Sequence, residues 1–310
     1  MPARPLPLLR DDLDAVDAAL RTADYTTVMR LLPPLLGELC VRSAGPEPAR
    51  STALRLLVKA YGSEAVCALR HLGATELAWI SGERGHRAAA LLGDPVWCAA
   101  AAYGRAHARS SMNLPCALMT TPEAADDVEP HVGDDRFARQ VYGMLRLSAA
   151  LTRQIQGDHA AADAHAEEAA RIAAPLGDDP HAWELFGPAN VGVWRASLAV
   201  EAGEPGRALT YADADADVPQ ALASGDRRAA LRLERARAHA MLGDHRAAGA
   251  ELRHAERLSP EQVHHHPLLR ELVADLLLKP GGRELRGLAW RMNLIRARFP
   301  AENLRLGPAP

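Results

Sequence analysis

A short phrase recurs along this chain: a small residue, a short polar step, an Ala five residues after the start and another Ala seven later. Gly157-Asp158-His159 leads to Ala162 and Ala169. Gly243-Asp244-His245 leads to Ala248 and Ala255 and closes on Leu258-Ser259-Pro260. Gly203-Glu204-Pro205 leads to Ala208, and Gly73-Ala74 to Ala78. Weaker copies start at Ala23-Asp24-Tyr25, reaching Val28, and at Met112-Asn113, reaching Ala117 and Ala124. Gly ends one helix by taking the left-handed conformation without a Cβ penalty. The Asp after it caps the next helix, and the two Ala let that helix lie close to its partner. The starts at 23, 73, 112, 157, 203 and 243 are separated by 50, 39, 45, 46 and 40 residues. About six helix hairpins in tandem are therefore expected.

Composition supports this. Of 310 residues, 62 are Ala, while Phe, Trp and Tyr together make up 4%. Ala is the strongest helix former, and a sheet core needs the β-branched and aromatic residues this chain uses sparingly. An all-β protein is excluded and the fold class is read as all-α. A net charge of −3 lacks the basic balance of a nucleic-acid-binding chain. No uninterrupted apolar run of about 18–20 residues suggests a membrane span. The opening Met1–Pro7 has one Arg and is followed by Asp11, Asp12 and Asp14, unlike a secretory leader. Cys40, Cys67, Cys98 and Cys116 form no C-x-x-C pair, so reduced thiols in a cytoplasmic protein are expected.

The hydrophobic pattern and the breakers give helix pairs at about 11–22 with 25–43, 51–71 with 74–92, 95–110 with 114–130, 135–156 with 158–175, 181–202 with 205–216, and 222–242 with 244–258. Gly187-Pro188 should break or kink the fifth first helix. Capping helices at about 265–278 and 283–297 would give the array a polar end. The division is a tail over 1–10, a repeat array over 11–260, capping helices over 261–297 and a frayed tail over 298–310.

Gly157–Ile172 and Gly243–Pro260 resemble the second half of the tetratricopeptide repeat, although the spacing exceeds that repeat's period of about 34 residues. Longer phrases are similar to the sensor half of actinobacterial XRE-type helix-turn-helix regulators. They are Arg30–Pro33, Ala88–Pro95, Val141–Leu145, Phe186–Arg195, Ala255–Val273 and Gly282–Met292. The resemblance implies a right-handed superhelix of about six hairpins, with a ligand in the concave groove lined by the first helix of each pair. Such regulators carry a DNA-binding domain ahead of the repeats. Only ten residues precede Asp11 here, so no direct nucleic-acid contact is expected of these residues.

By analogy with the family, the inward positions are Arg70, Arg109 and Gln154 at one repeat position, Tyr103 and Trp194 at a second, and Asn190 and Arg237 at others. An amide side chain offers a donor and an acceptor to an unpaired peptide backbone, and Arg suits a carboxylate. The expected ligand is a short peptide or small molecule, with a protein partner or self-association as further options. Against this stand plainer roles: Arg70 and Arg109 solvated or paired with Glu64 and other neighbours, Trp194 packed between repeats. Tyr103, Trp183 and Trp194 are the few large rings able to furnish a pocket.

No nucleophile elbow, phosphate loop or dinucleotide fingerprint occurs, and no cofactor is implied. His264-His265-His266 is not read as a metal site, because consecutive His residues on a loop point in different directions and no acidic partner is fixed; the alternating Asp213, Asp215 and Asp217 are read as a solvated acidic patch, not a calcium site. The run Arg227, Arg228, Arg232, Arg235 and Arg237 is read first as a solvated face, with groove lining as the alternative. An enzyme recruited from this scaffold would need a perturbed acid or base in a closed pocket, such as Glu64 or Asp134.

Overall fold

The computed structural model describes residues 3–108, 114–213 and 222–295, with backbone alone for 114–119. Among these residues every regular element is helical and no strand occurs. Helix α1 (Leu6–Arg21) packs on α2 (Tyr25–Ser43). The second unit runs through α3 (Ala49–Lys59), a π-helical turn (Ala60–Ala65) and α4 (Val66–His71), and packs on α5 (Thr75–Leu92). Next come α6 (Pro95–His107) with α7 (Leu114–Val128) and α8 (Arg136–Ile155) with α9 (His159–Leu176). Then α10 (Pro188–Glu201) pairs with α11 (Pro205–Asp213), and α12 (Gly225–Met241) with α13 (His245–Leu258). Three short helices follow: α14 (Pro260–His265), α15 (Pro267–Leu277) and α16 (Arg286–Arg291).

The recurrent phrase does locally what its residues dictate. Gly73, Gly157, Gly203 and Gly243 all take φ between 76° and 81° at the hairpin turns. Asp24, Asp158 and Asp244 accept the backbone N–H of Thr27, Ala161 and Ala247, which caps α2, α9 and α13. Ala78, Ala169, Ala248 and Ala255 are wholly buried at the seam within each pair. In the weak first copy, Ala23 itself adopts a left-handed φ of 57°.

Several boundaries differ from expectation. Helix α1 begins at Leu6, five residues early. The helix expected over 181–202 starts only at Pro188, because Gly187-Pro188 sets a new N-terminus after a 3-10 turn at Trp183–Leu185. The helix expected over about 265–278 is present over Pro267–Leu277 and starts after His266, whose extended ψ of 118° is the conformation a following proline favours. The last expected helix, 283–297, is a 3-10 turn (Gly282–Leu285) leading into α16. No described helix is long and apolar enough to cross a membrane.

The largest departure concerns the ends. The first helices of successive pairs pack on one another in order, and α12 also touches α1, while α14 touches α4. The groove expected along an open array is thus closed into a ring. Small residues allow the closure. A Cβ on Gly225 would lie 3.0 Å from the Leu258 carbonyl oxygen and 3.4 Å from that of Arg21. Gly73 sits against the His265 side chain, and the Tyr25 hydroxyl lies 3.5 Å from Oγ of the buried Ser259.

Candidate functional site

The inner helices line a half-open cavity of about 320 Å³. Each contribution has a local cause. The π turn rotates its residues relative to an α-helix and presents Ser63 and Glu64 to the cavity. It is held by α5, where the Ser81 hydroxyl donates to the Tyr61 carbonyl at 2.9 Å. On α6, Gly104 leaves room for the Gly62 backbone, which any Cβ there would strike.

A second wall is the segment before α10. Glu184 and Leu185 are non-glycine residues with φ of 50° and 54°, a conformation that costs free energy and persists only where its surroundings impose it. Three contacts impose it here. The Trp183 N–H donates to Oε1 of buried Gln140 at 3.1 Å, the Ala189 N–H to Asp178 at 3.0 Å, and Asn190 Nδ2 to the Glu184 carbonyl at 2.9 Å. Glu184 is thereby turned into the cavity, 3.4 Å from Arg227 of α12.

Aromatic rings form the third surface. Trp97 stacks on Phe137 at 4.7 Å and Phe137 meets Trp183 edge-on at 6.0 Å, and all three line the cavity. The series continues behind the wall through Tyr103, 5.1 Å from Trp183, to His107 and Trp194. A chain with few aromatics thus concentrates five of its Phe, Trp and Tyr residues at one place.

Four carboxylates, Asp17, Glu64, Glu184 and Asp226, face three cations, Arg21, Lys59 and Arg227. Burial pushes the Glu64 carboxyl up to about 8, although Lys59 Nζ stands 3.7 Å away and opposes the shift. Burial likewise raises Glu184 and Asp226 above the usual carboxylate range, against the pull of Arg227. Desolvation raises the Cys67 thiol and lowers His71, so both are neutral near pH 7. Cys67, His71 and Asp226 bring one donor atom each to within 4.8 Å of one another.

The residues expected to bind ligand are not gathered in one place. Tyr103 and Trp194 are buried in the ring series behind Trp183. Asn190, completely buried, is engaged with the Glu184 carbonyl. Arg70 is half-buried and forms no salt bridge among the described residues; Glu64 pairs with Lys59 instead. Arg237 is held by Glu201 at 2.7 Å and Glu234 at 2.9 Å. Gln154 lies in a separate pocket, 2.8 Å from His159. Arg109 is outside the described residues, as are Asp215 and Asp217. Of the Arg run, Arg227 lines the cavity, while Arg232 and Arg235 share Glu251. Asp134 is fully exposed.

Sequence reasoning placed Glu64 and Trp183 near a pocket but overlooked Cys67, His71 and Glu184. The i, i+4 spacing of Cys67 and His71 was the available signal. No family model matches this chain, and no curated protein matches it.

Proposed function

We infer that the chain is a non-catalytic regulatory domain whose half-open central cavity takes a small molecule with a positively charged amine and a flat apolar body. The hairpins are read as a tetratricopeptide-like right-handed superhelix wound until its ends meet. Glu64 carries this reading: a carboxyl 4% exposed, facing the cavity, with one ammonium nearby and its ionised form disfavoured by burial. A ligand ammonium would supply the missing countercharge, while Trp97, Phe137 and Trp183 offer faces to rings and cations.

The ring gives such a ligand a means of control. Ligand bound only in the closed form favours contact between α1 and α12 over an opened superhelix, by the difference in its affinity for the two. The output passes to a protein partner or a second copy of the chain, not to nucleic acid directly.

Isothermal titration with tryptamine and with its neutral alcohol analogue tests the reading. Saturable binding of the amine alone, weakened at least 10-fold by Glu64→Gln, is expected. Equal binding of the two, or binding of neither, overturns it. A second reading, catalysis, is favoured by the raised carboxyls, a pattern that clusters at active sites. Chemical change of the bound amine over hours, followed by NMR, would select it.

A further inference from the structure

We propose that Cys67, His71 and Asp226 form a binding site for a divalent transition metal, with zinc the ion the donors suit best. Sulfur, imidazole nitrogen and carboxylate oxygen are the ligand types of zinc sites, and three protein ligands leave the fourth position open. The three come together by two separate means. Cys67 and His71 stand four residues apart on α4, on one helix face, with Sγ 3.8 Å from Nδ1. Asp226 is 155 residues beyond His71 and arrives on the first turn of α12, only because the ring closes there.

All three donor atoms lie within 4.8 Å of one another. Donors around a tetrahedral zinc are about 3.5 Å apart, from metal–ligand bonds of about 2.0–2.3 Å, so side-chain rotations of the order of an ångström complete the geometry. The surroundings hold the ligands in place. The Ser224 hydroxyl donates to the Asp226 carboxylate, while the Tyr25 hydroxyl, 2.6 Å from His71 Nδ1 and 3.5 Å from the Ser259 hydroxyl, holds the metal-free imidazole and gives way where Nδ1 takes the metal. Such outer contacts orient metal ligands in general. Cys67 and Asp226 line the cavity, so the open position faces it. On binding, the Cys67 thiol gives its proton to solvent and the sulfur donates an electron pair to the metal. The site does not depend on an amine ligand.

The test is titration of the chelator-treated, reduced full chain with Co²⁺, a coloured stand-in for zinc. One equivalent should bind with a thiolate-to-metal charge-transfer band and visible bands of tetrahedral intensity, and one equivalent of Zn²⁺ should abolish them. Cys67→Ser should lose the charge-transfer band, and Asp226→Asn should weaken binding by more than 10-fold. Cys40→Ser should change neither. Should Cys67→Ser not fold, alkylation of the wild-type chain gives the answer: Zn²⁺ should protect Cys67 from iodoacetamide and leave Cys40 reactive. Absence of stoichiometric Co²⁺ binding, or alkylation of Cys67 unaffected by Zn²⁺, would overturn the site. Loss of Co²⁺ binding with tryptamine binding intact would refute the metal site alone.

Discussion

Two pockets in this chain are lined by charged groups, and they treat those charges in opposite ways. In the lateral pocket between the hairpins α8–α9 and α10–α11, the charges satisfy one another. Arg207 meets Asp163 and Glu204, each at 3.0 Å, Arg195 meets Glu167 at 2.7 Å, and both guanidinium groups lie over the Tyr211 ring. The central cavity instead holds carboxyls raised by burial, a Glu184 turned into it at strained φ, and a Cys–His–Asp cluster. Charge placement therefore separates a seam that ties neighbouring hairpins from the cavity for which a ligand is proposed. Polarity alone does not.

Breaking the wall of the central cavity should have the largest effect. Gly104→Ala puts a methyl group into the Gly62 backbone, which cannot yield as a flexible side chain would. The expected loss is about 3 kcal/mol or more, read as a lower denaturant midpoint, together with loss of ligand binding. An unchanged midpoint would show that the π turn is not held as described.

Next comes the pH dependence of Glu64. Its folded value near 8 lies above the ordinary carboxylate value of 4.5. Between those two pH values the folded chain holds a proton that the unfolded chain has released, so stability falls as pH rises across that window and levels off above it. Glu64→Gln should flatten this slope, leaving the part contributed by Glu184 and Asp226, and raise stability at pH 9 relative to wild type by up to about 5 kcal/mol, with little gain at pH 5. Thermal melts of both proteins across pH 4–9 check the sign. A wild-type slope that persists undiminished in the variant assigns it elsewhere.

Asn190 tests whether the strained segment is held as described. Asn190→Ala removes the donor to the Glu184 carbonyl at 2.9 Å, and should cost about 1–2 kcal/mol. It should also weaken tryptamine binding by releasing Glu184, although Asn190 itself touches no ligand. Full stability with full binding would show that Gln140 and Asp178 suffice to hold residues 183–189.

The hairpins were legible because each is set by residues close in sequence. The Gly–Asp turn and the two Ala define a seam wherever they occur, and the positive φ of Gly157 and Gly243 and the caps at Asp158 and Asp244 follow from the local phrase. Closure of the ring was not legible. It depends on small rotations accumulated over six pairs, which no single phrase encodes, so inward positions taken by analogy with an open superhelix landed apart. Gln154 faces the lateral pocket and Arg237 an ion-pair cluster. Glu184 was hidden for another reason: its exposure to the cavity comes from a backbone conformation that glutamate rarely takes. Cys67 and His71 looked like ordinary helix residues until Asp226 arrived from the far end of the chain.

Arg207 should give the smallest effect, and it decides whether the comparison stands. Its partners are about half exposed, so solvent screens each pair, and holding a long side chain in place offsets part of the gain. Three weak contacts on one guanidinium, to Asp163, Glu204 and the Tyr211 hydroxyl at 3.1 Å, share a single cost of ordering. Arg207→Ala should therefore lower stability by less than about 1 kcal/mol, the loss shrinking further in high salt. Tryptamine affinity and Co²⁺ stoichiometry should not move. If Arg207→Ala instead abolishes tryptamine binding, the lateral pocket is the receptor and the raised carboxyls of the central cavity serve some other purpose. If it changes stability alone, the lateral pocket has behaved as a seam, and the buried carboxyls of the central cavity, raised above the usual range, are where a cation is to be sought.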